Sequence, residues 1–183
     1  MKFKAAILVA TGQPLVIDQI QLNSLRPTQV LVKVHSTGVC RSQIYEIEGR
    51  RGADRYLPHL LGHEAVGTVV DIGSSVTKVK PHDEVLLSWI KGSGLDGDLP
   101  DLSWNSSKLN AGPITTFSEY TVCSESRVAP LTSITSHPLG PLFGCAIPTG
   151  YSLSLTTSNL NLANYILIYG LGGIGMFLRK NPK

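Results

Sequence analysis

Cysteine is scarce in this chain: Cys40, Cys123 and Cys145 are the only thiols in 183 residues. Three widely spaced cysteines cannot build a disulfide framework, and no signal-like segment opens the sequence, so the thiols are expected to stay free in a reducing cytoplasm, available as metal ligands. An excess of either charge is missing as well. Sixteen Lys and Arg stand against 13 Asp and Glu, a net charge of +3 without a long basic run, which is too little bias for a nucleic-acid partner. No membrane partner is expected either. The uncharged stretch Tyr165 to Leu178, followed by Arg179, Lys180 and Lys183, is shorter than the roughly 18 residues of a spanning helix and carries four glycines, so a strand, turn and helix suit it better than an anchor. Repeats and low-complexity tracts are also absent.

What is present is a hydrophobic share of 42%, enough for one solid core and part of a second. Short β-branched or apolar runs at Ala5 to Val9, Val30 to His35, Val66 to Ile72 and Val85 to Ile90 alternate with turn formers and read as strands. In Val30-Leu31-Val32-Lys33-Val34-His35 the valines recur at period two, which turns one face inward and leaves Lys33 and His35 on the other. A mainly β, mostly antiparallel barrel or sandwich follows. Cys40 to Glu48 reads as a short helix with Ile44 and Ile47 on one side. Residues 91–113, rich in Gly, Ser, Asn and Asp, read as a long surface excursion. Strand signals return at Phe117 to Val122 and Val128 to Leu131, and Thr149 to Asn164 reads as a connector or helix.

The apolar run Tyr165 to Tyr169 then leads into Gly170-Leu171-Gly172-Gly173-Ile174-Gly175. A G-x-G-x-x-G after a strand is the phosphate loop of a dinucleotide-binding unit: Gly170 for the tight turn, Gly172 for approach of the pyrophosphate, Gly175 for helix against strand. Two units are expected, residues 1–155 and the opening of a second at 156–183. Pro182 cannot sit comfortably inside the helix that should follow, and the second unit is expected to be incomplete. The residue that would choose NAD or NADP, about twenty positions on, is not among these 183.

Taken singly, His63 and each cysteine read as structural residues, Cys40 and Cys145 as small buried hydrophobes. Together, two thiols and an imidazole match the Cys2His donor set of a catalytic zinc, which keeps a fourth position open. Cys123, mid-strand in Tyr120-Thr121-Val122-Cys123, reads as a packed thiol.

Six segments occur in an order that carries a resemblance: Thr37-Gly38-Val39-Cys40-Arg41-Ser42; Leu60 to Val69, with Gly62-His63-Glu64; Gly73-Ser74-Ser75-Val76 ahead of Asp83-Glu84-Val85; Thr116-Phe117-Ser118-Glu119-Tyr120; Gly144-Cys145-Ala146-Ile147-Pro148-Thr149-Gly150-Tyr151; and the glycine loop. The chain resembles the zinc-dependent medium-chain alcohol dehydrogenases. The resemblance implies a GroES-like β-barrel catalytic domain, followed by the first strand and glycine loop of a Rossmann domain. It implies Cys40, His63 and Cys145 as ligands of one catalytic zinc, Glu64 as a nearby carboxylate, and Ser42 as the hydroxyl that passes the alcohol proton outward. Arg41 matches a pyrophosphate contact, Thr149 a contact near the nicotinamide, and Trp89 and Phe117 walls of the substrate cleft. Small alcohols, polyols or carbonyls as substrates, NAD or NADP as hydride carrier and homo-oligomeric relatives come with it.

Departures from the family pattern are equally specific. Gln43 replaces an Asp that commonly supports the metal, which questions the metal's tuning. Tyr45 replaces a His of the proton relay, and His82 replaces a glycine in a turn that favours positive φ. Residues 91–113 lack the four cysteines of the second, structural zinc of many members, so that zinc is not expected. Two other readings stay open: a GroES-like module that binds zinc without catalysis, and a zinc-free quinone or enoyl reductase-like relative, in which the ligand positions are usually lost.

Overall fold

The computed structural model describes residues 1–131, 138–156 and 167–179. Its strands are β1 (Lys2–Leu8), β2 (Val16–Ser24), β3 (Gln29–Thr37), β4 (His59–Leu60), β5 (Glu64–Ile72), β6 (Glu84–Ser88), β7 (Asp101–Trp104), β8 (Ser107–Leu109), β9 (Tyr120–Ser124) and β10 (Val128–Pro130); its helices are α1 (Arg41–Ile47), α2 (Ala146–Thr156) and α3 (Gly173–Arg179). Two five-stranded sheets form, in the orders β4-β1-β2-β7-β8 and β10-β6-β5-β3-β9, and the paired strands run antiparallel. The mainly β architecture expected from the alternating runs is the one observed.

Period two explains how β3 serves two cores. Val30 and Val32 pack with Val69, Val85 and Leu87 in one, while Leu31 faces Phe3, Ile20 and Val122 in the other. Lys33 and His35 are exposed, as the pattern requires. The β3–β5 ladder shifts register twice, between Leu31 and Val32 and between Val34 and Ser36, and such bulges curl a sheet.

Several expectations are corrected. β2 is a full strand that the opening pattern does not announce, because only Ile20 and Leu22 of its nine residues point inward. Residues 91–113 are more than an excursion: β7 and β8 form a hairpin that extends the first sheet, and Leu102 and Leu109 are buried in its core. The segment is tied down by Glu125, which is buried and accepts hydrogen bonds from the amides of Thr77 (2.7 Å), Lys78 (2.6 Å) and Leu95 (2.7 Å). Burial pushes the Glu125 carboxyl up, but those three amides and Lys78 outweigh it and hold it below the usual carboxylate range. Helix α1 turns Gln43 inward and leaves Ile44 exposed, the reverse of the expected isoleucine face. Of the expected strand Tyr165 to Tyr169, residues 165 and 166 lie outside the described residues, while Leu167 to Tyr169 have no regular structure and Leu167 and Tyr169 are exposed. The expected connector at 149–164 is α2 up to Thr156, and residues 157–164 lie outside the described residues.

His82 holds φ at +75°, and its amide donates to the Val69 carbonyl at 2.9 Å, so the turn keeps the left-handed geometry although the residue has a Cβ. That conformation costs a non-glycine residue about 1–2 kcal/mol, partly offset by the greater freedom glycine loses on folding. His82→Gly is therefore expected to stabilise the chain by up to about 1 kcal/mol, read as a higher denaturant midpoint at unchanged m-value.

Candidate metal centre

The centre is assembled at one end of the second sheet by strand pairing. The last β3 residue, Thr37, sits opposite Ala65, and the Thr37 hydroxyl donates to the Glu64 carbonyl at 2.9 Å, so Cys40, just past β3, and His63, just before β5, meet at the same end. On the other side Glu64 pairs with Ser88 of β6, whose hydroxyl donates to the Gly144 carbonyl at 2.7 Å and brings Cys145 to the same point. Gly62 precedes His63 at φ +92°, where a Cβ would overlap Thr116 and the Phe117 backbone. Pro148 is tolerated because it falls in the first turn of α2, where its missing N–H has no helical partner to lose.

Ligand atoms of Cys40, His63 and Cys145 lie within 4.8 Å of one another, and His63 Nε2 is 3.2 Å from Cys145 Sγ. Burial lowers the His63 pKa, with the Arg51 charge assisting, so its neutral, metal-binding form is favoured. Burial, then Glu64, then Cys40 push the Cys145 thiol up to about 11. Two sulfurs and one imidazole nitrogen around a shared point, with the Cys145 thiolate disfavoured until a cation arrives, fit a zinc ion. Gln43, whose presence questions the metal's tuning, is in contact with the centre: its amide nitrogen is 2.6 Å from His63 Nδ1, and its amide oxygen is buried without a hydrogen-bond partner. Cys123 is buried within β9, burial pushes its thiol up to about 12, and it is the packed thiol that its strand position indicates.

Glu64 lies behind the centre, 3% exposed, with Oε2 unpartnered. A Cβ at Gly38 would overlap its carboxylate, and one at Gly144 would crowd its Cβ, which accounts for two glycines in the ligand-bearing segments. Ser42 is half-buried on α1, two residues from Cys40. Thr149 is one turn into α2, its amide donating to the Cys145 carbonyl at 3.0 Å. Arg41 is exposed, 6.0 Å above the Tyr45 ring. A cavity of about 540 Å³ adjoins His63 and Gln43 on the side of residues 56–62 and 108–115; Trp89, 48% exposed, and Phe117 do not line it. Gly170 has φ +105°, Gly172 stands in open space, and Gly175 packs against the Gly170 carbonyl at the start of the seven-residue α3. Sequence reading missed the Gln43–His63 contact, for which a glutamine three residues after Cys40 is the only local signal, and a second cluster, Glu46, Asp54 and His59.

Residues 26–133 match the family described as the alcohol dehydrogenase GroES-like domain. The chain is 30% identical to a class-3 alcohol dehydrogenase of Cereibacter sphaeroides, over 96% of this chain and 54% of that protein. It is 31% identical to an S-(hydroxymethyl)glutathione dehydrogenase of Escherichia coli, over 96% of this chain and 54% of that protein. A crystal structure of an alcohol dehydrogenase zinc-binding domain protein from Burkholderia ambifaria superimposes with a TM-score of 0.79 at 24% identity, covering 97% of this chain and 54% of that one. Curled antiparallel sheets that bring scattered Cys and His residues together fit a GroES-like domain. The chain belongs to the medium-chain alcohol dehydrogenase family, and it spans about half the length of the relatives it matches. Among the described residues no helix is long and apolar enough to cross a membrane.

Burial raises the Glu64 carboxyl from 4.5 to about 6, against the opposing hydrogen bond from the Ala146 amide. A carboxyl raised on folding contributes stability that is complete below its unfolded value and is lost as pH rises through its folded value. In the metal-free chain, Glu64→Gln is expected to leave stability near pH 4 unchanged and to increase it by up to about 2 kcal/mol at pH 8. Thermal melts of both chains across pH 4–8 check this, and parallel curves would refute it.

Proposed function

We propose that Cys40, His63 and Cys145 hold one catalytic zinc, and that the protein containing this domain oxidises alcohols, or reduces the matching carbonyls, with NAD or NADP. The observation that carries this reading is the convergence of these three donors, contributed by three distant segments, within 4.8 Å of one another. Zinc bound there supplies a Lewis acid that eases loss of the alcohol proton.

The remaining roles belong to the chain itself. His63 presents Nε2 toward Cys145, so Nδ1 carries its hydrogen when Nε2 takes the metal. A half-turn of the Gln43 amide exchanges its oxygen and nitrogen and gives that N–H an acceptor, fixing the ring's tautomer and orientation as a neutral substitute for a carboxylate. Ser42 carries the alcohol proton outward, and Glu64 keeps a carboxyl behind the centre. Arg41, Thr149 and the loop Gly170, Gly172, Gly175 meet the cofactor, and Trp89 and Phe117, which lie outside the cavity beside His63, are assigned to the substrate cleft by the family resemblance. Retention of all three donors argues against the zinc-free reductase reading. A zinc-binding module without turnover is the second reading for the isolated 183-residue chain, favoured by the exposure of Leu167 and Tyr169 just before the glycine loop. Hydride transfer needs nicotinamide held in near-attack geometry.

The expected result is tight zinc binding at the thiol centre that Cys40→Ser or Cys145→Ser abolishes and Cys123→Ser does not, with uptake releasing a proton from Cys145 and weakening as pH falls. Gln43→Leu should lower zinc affinity about 10–100-fold. Metal analysis with chelator competition checks these, and equal loss for all three cysteine variants would remove the assignment. Calorimetric titration with NAD and NADP should show no saturable micromolar binding by the isolated chain; such binding would restore it as an enzyme in its own right.

A further inference from the structure

The cavity beside His63 has two further donors on its wall, Glu46 and His59, with Asp54 next to them. His59 is 7% exposed; its Nδ1 is 2.9 Å from the Leu60 carbonyl oxygen, which can only accept, so Nδ1 carries the ring hydrogen. That leaves Nε2 facing two carboxylates, 2.8 Å from Asp54 Oδ2 and 3.9 Å from Glu46 Oε1. Each inner ligand is already oriented from behind. The imidazole donates to a backbone carbonyl, and the other Asp54 oxygen accepts from the Tyr56 amide at 2.8 Å. Such outer partners are what ligating histidines and carboxylates require.

Three electron-rich atoms within 4.8 Å of one another need a positive centre. A proton on Nε2 satisfies Asp54 and leaves Glu46 out of hydrogen-bond range, whereas a metal ion engages all three. Arg51 approaches only the outer oxygen of Glu46, Oε2, at 3.9 Å, and does not fill the centre. Glu46 and His59 line the cavity of about 540 Å³ that also reaches Gln43 and His63, which supplies access and room for a further ligand.

We propose that Glu46, Asp54 and His59 form a second divalent-metal site, two carboxylate oxygens and one imidazole nitrogen, suited to zinc, with its open position toward the cavity. Water or an oxygen of a molecule in the cavity completes the coordination. This site does not depend on the Cys40, His63, Cys145 reading.

The test is equilibrium dialysis of the full chain against zinc, with metal analysis of the wild type, Asp54→Asn, His59→Gln and the Cys40→Ser/Cys145→Ser pair. Two equivalents in the wild type, one in each of Asp54→Asn and His59→Gln and one in the cysteine pair are expected. One equivalent in the wild type that survives Asp54→Asn and disappears in the cysteine pair overturns the second site. One equivalent that Asp54→Asn removes upholds it and overturns the thiol centre instead. Cobalt titration of the wild type decides independently of variant folding. The thiolate-to-cobalt charge-transfer band should saturate at one equivalent while d–d absorption rises to two; both saturating together at one refutes the proposal.

Discussion

The pairing of β3 with β5 is the constraint on which the site depends. Its bulges bend the two strands together, and its last pair, Thr37 with Ala65, sets how far Cys40 stands from His63. A slip of one residue would reverse every side chain on the strand, moving Val30 and Val32 out of their core while separating Cys40 from His63. Register is therefore enforced by the same buried valines that the function never touches. The third donor adds a second fastening, through the Ser88 hydroxyl on Gly144, so Cys145 reports the β5–β6 register as well.

Such rigidity allows electron-rich groups to be packed where water would otherwise separate them. Glu64 is enclosed by Gly38 and Gly144 with one oxygen unpartnered, and the Cys145 thiol is pushed up by burial, by Glu64 and by Cys40. Without a cation these groups oppose folding mildly, and with one the same convergence becomes affinity. Glu125 solves the opposite problem. Its surface is buried as that of Glu64 is, yet three amides hold it ionised, so it anchors the segment around Leu95 rather than offering a charge to a ligand.

Sequence legibility divides along these lines. The period-two valines of β3 and the ordered glycine, cysteine and histidine segments were readable because each rests on local chemistry: alternation, tight approach, donor type. The convergence of Cys40, His63 and Cys145 was readable only as a set, since no spacing joins positions 40, 63 and 145. What escaped was decided by tertiary contact. β2 hides because its partners bury just Ile20 and Leu22; the β7–β8 hairpin hides in a turn-rich segment whose Leu102 and Leu109 find their core across the sheet. Gln43 looked like a loss from the family pattern, and its burial against His63 depends on the rotation of α1, which two isoleucines wrongly predicted. His82 was legible in full, because a turn's backbone angle is local.

Cys123 and Cys145 show why a buried thiol is not by itself a site. Both are raised by burial, Cys123 further, to about 12 against about 11. Around Cys123 the neighbours are apolar strand residues such as Val30 and Val32, and desolvation there simply keeps the proton in place and the sulfur inert. Around Cys145 burial is again the largest cause, but Glu64 and then Cys40 add to it. A repulsive field made by a carboxylate and a second thiol has one inexpensive remedy, a shared cation, and desolvation by hydrocarbon has none. What a buried thiol can do therefore depends on the charged and metal-binding groups beside it as well as on how far its pKa moves. The same distinction separates the Glu46, Asp54 and His59 cluster, whose three donor atoms lie within 4.8 Å of one another beside a cavity, from the solvated ion pairs elsewhere on the surface.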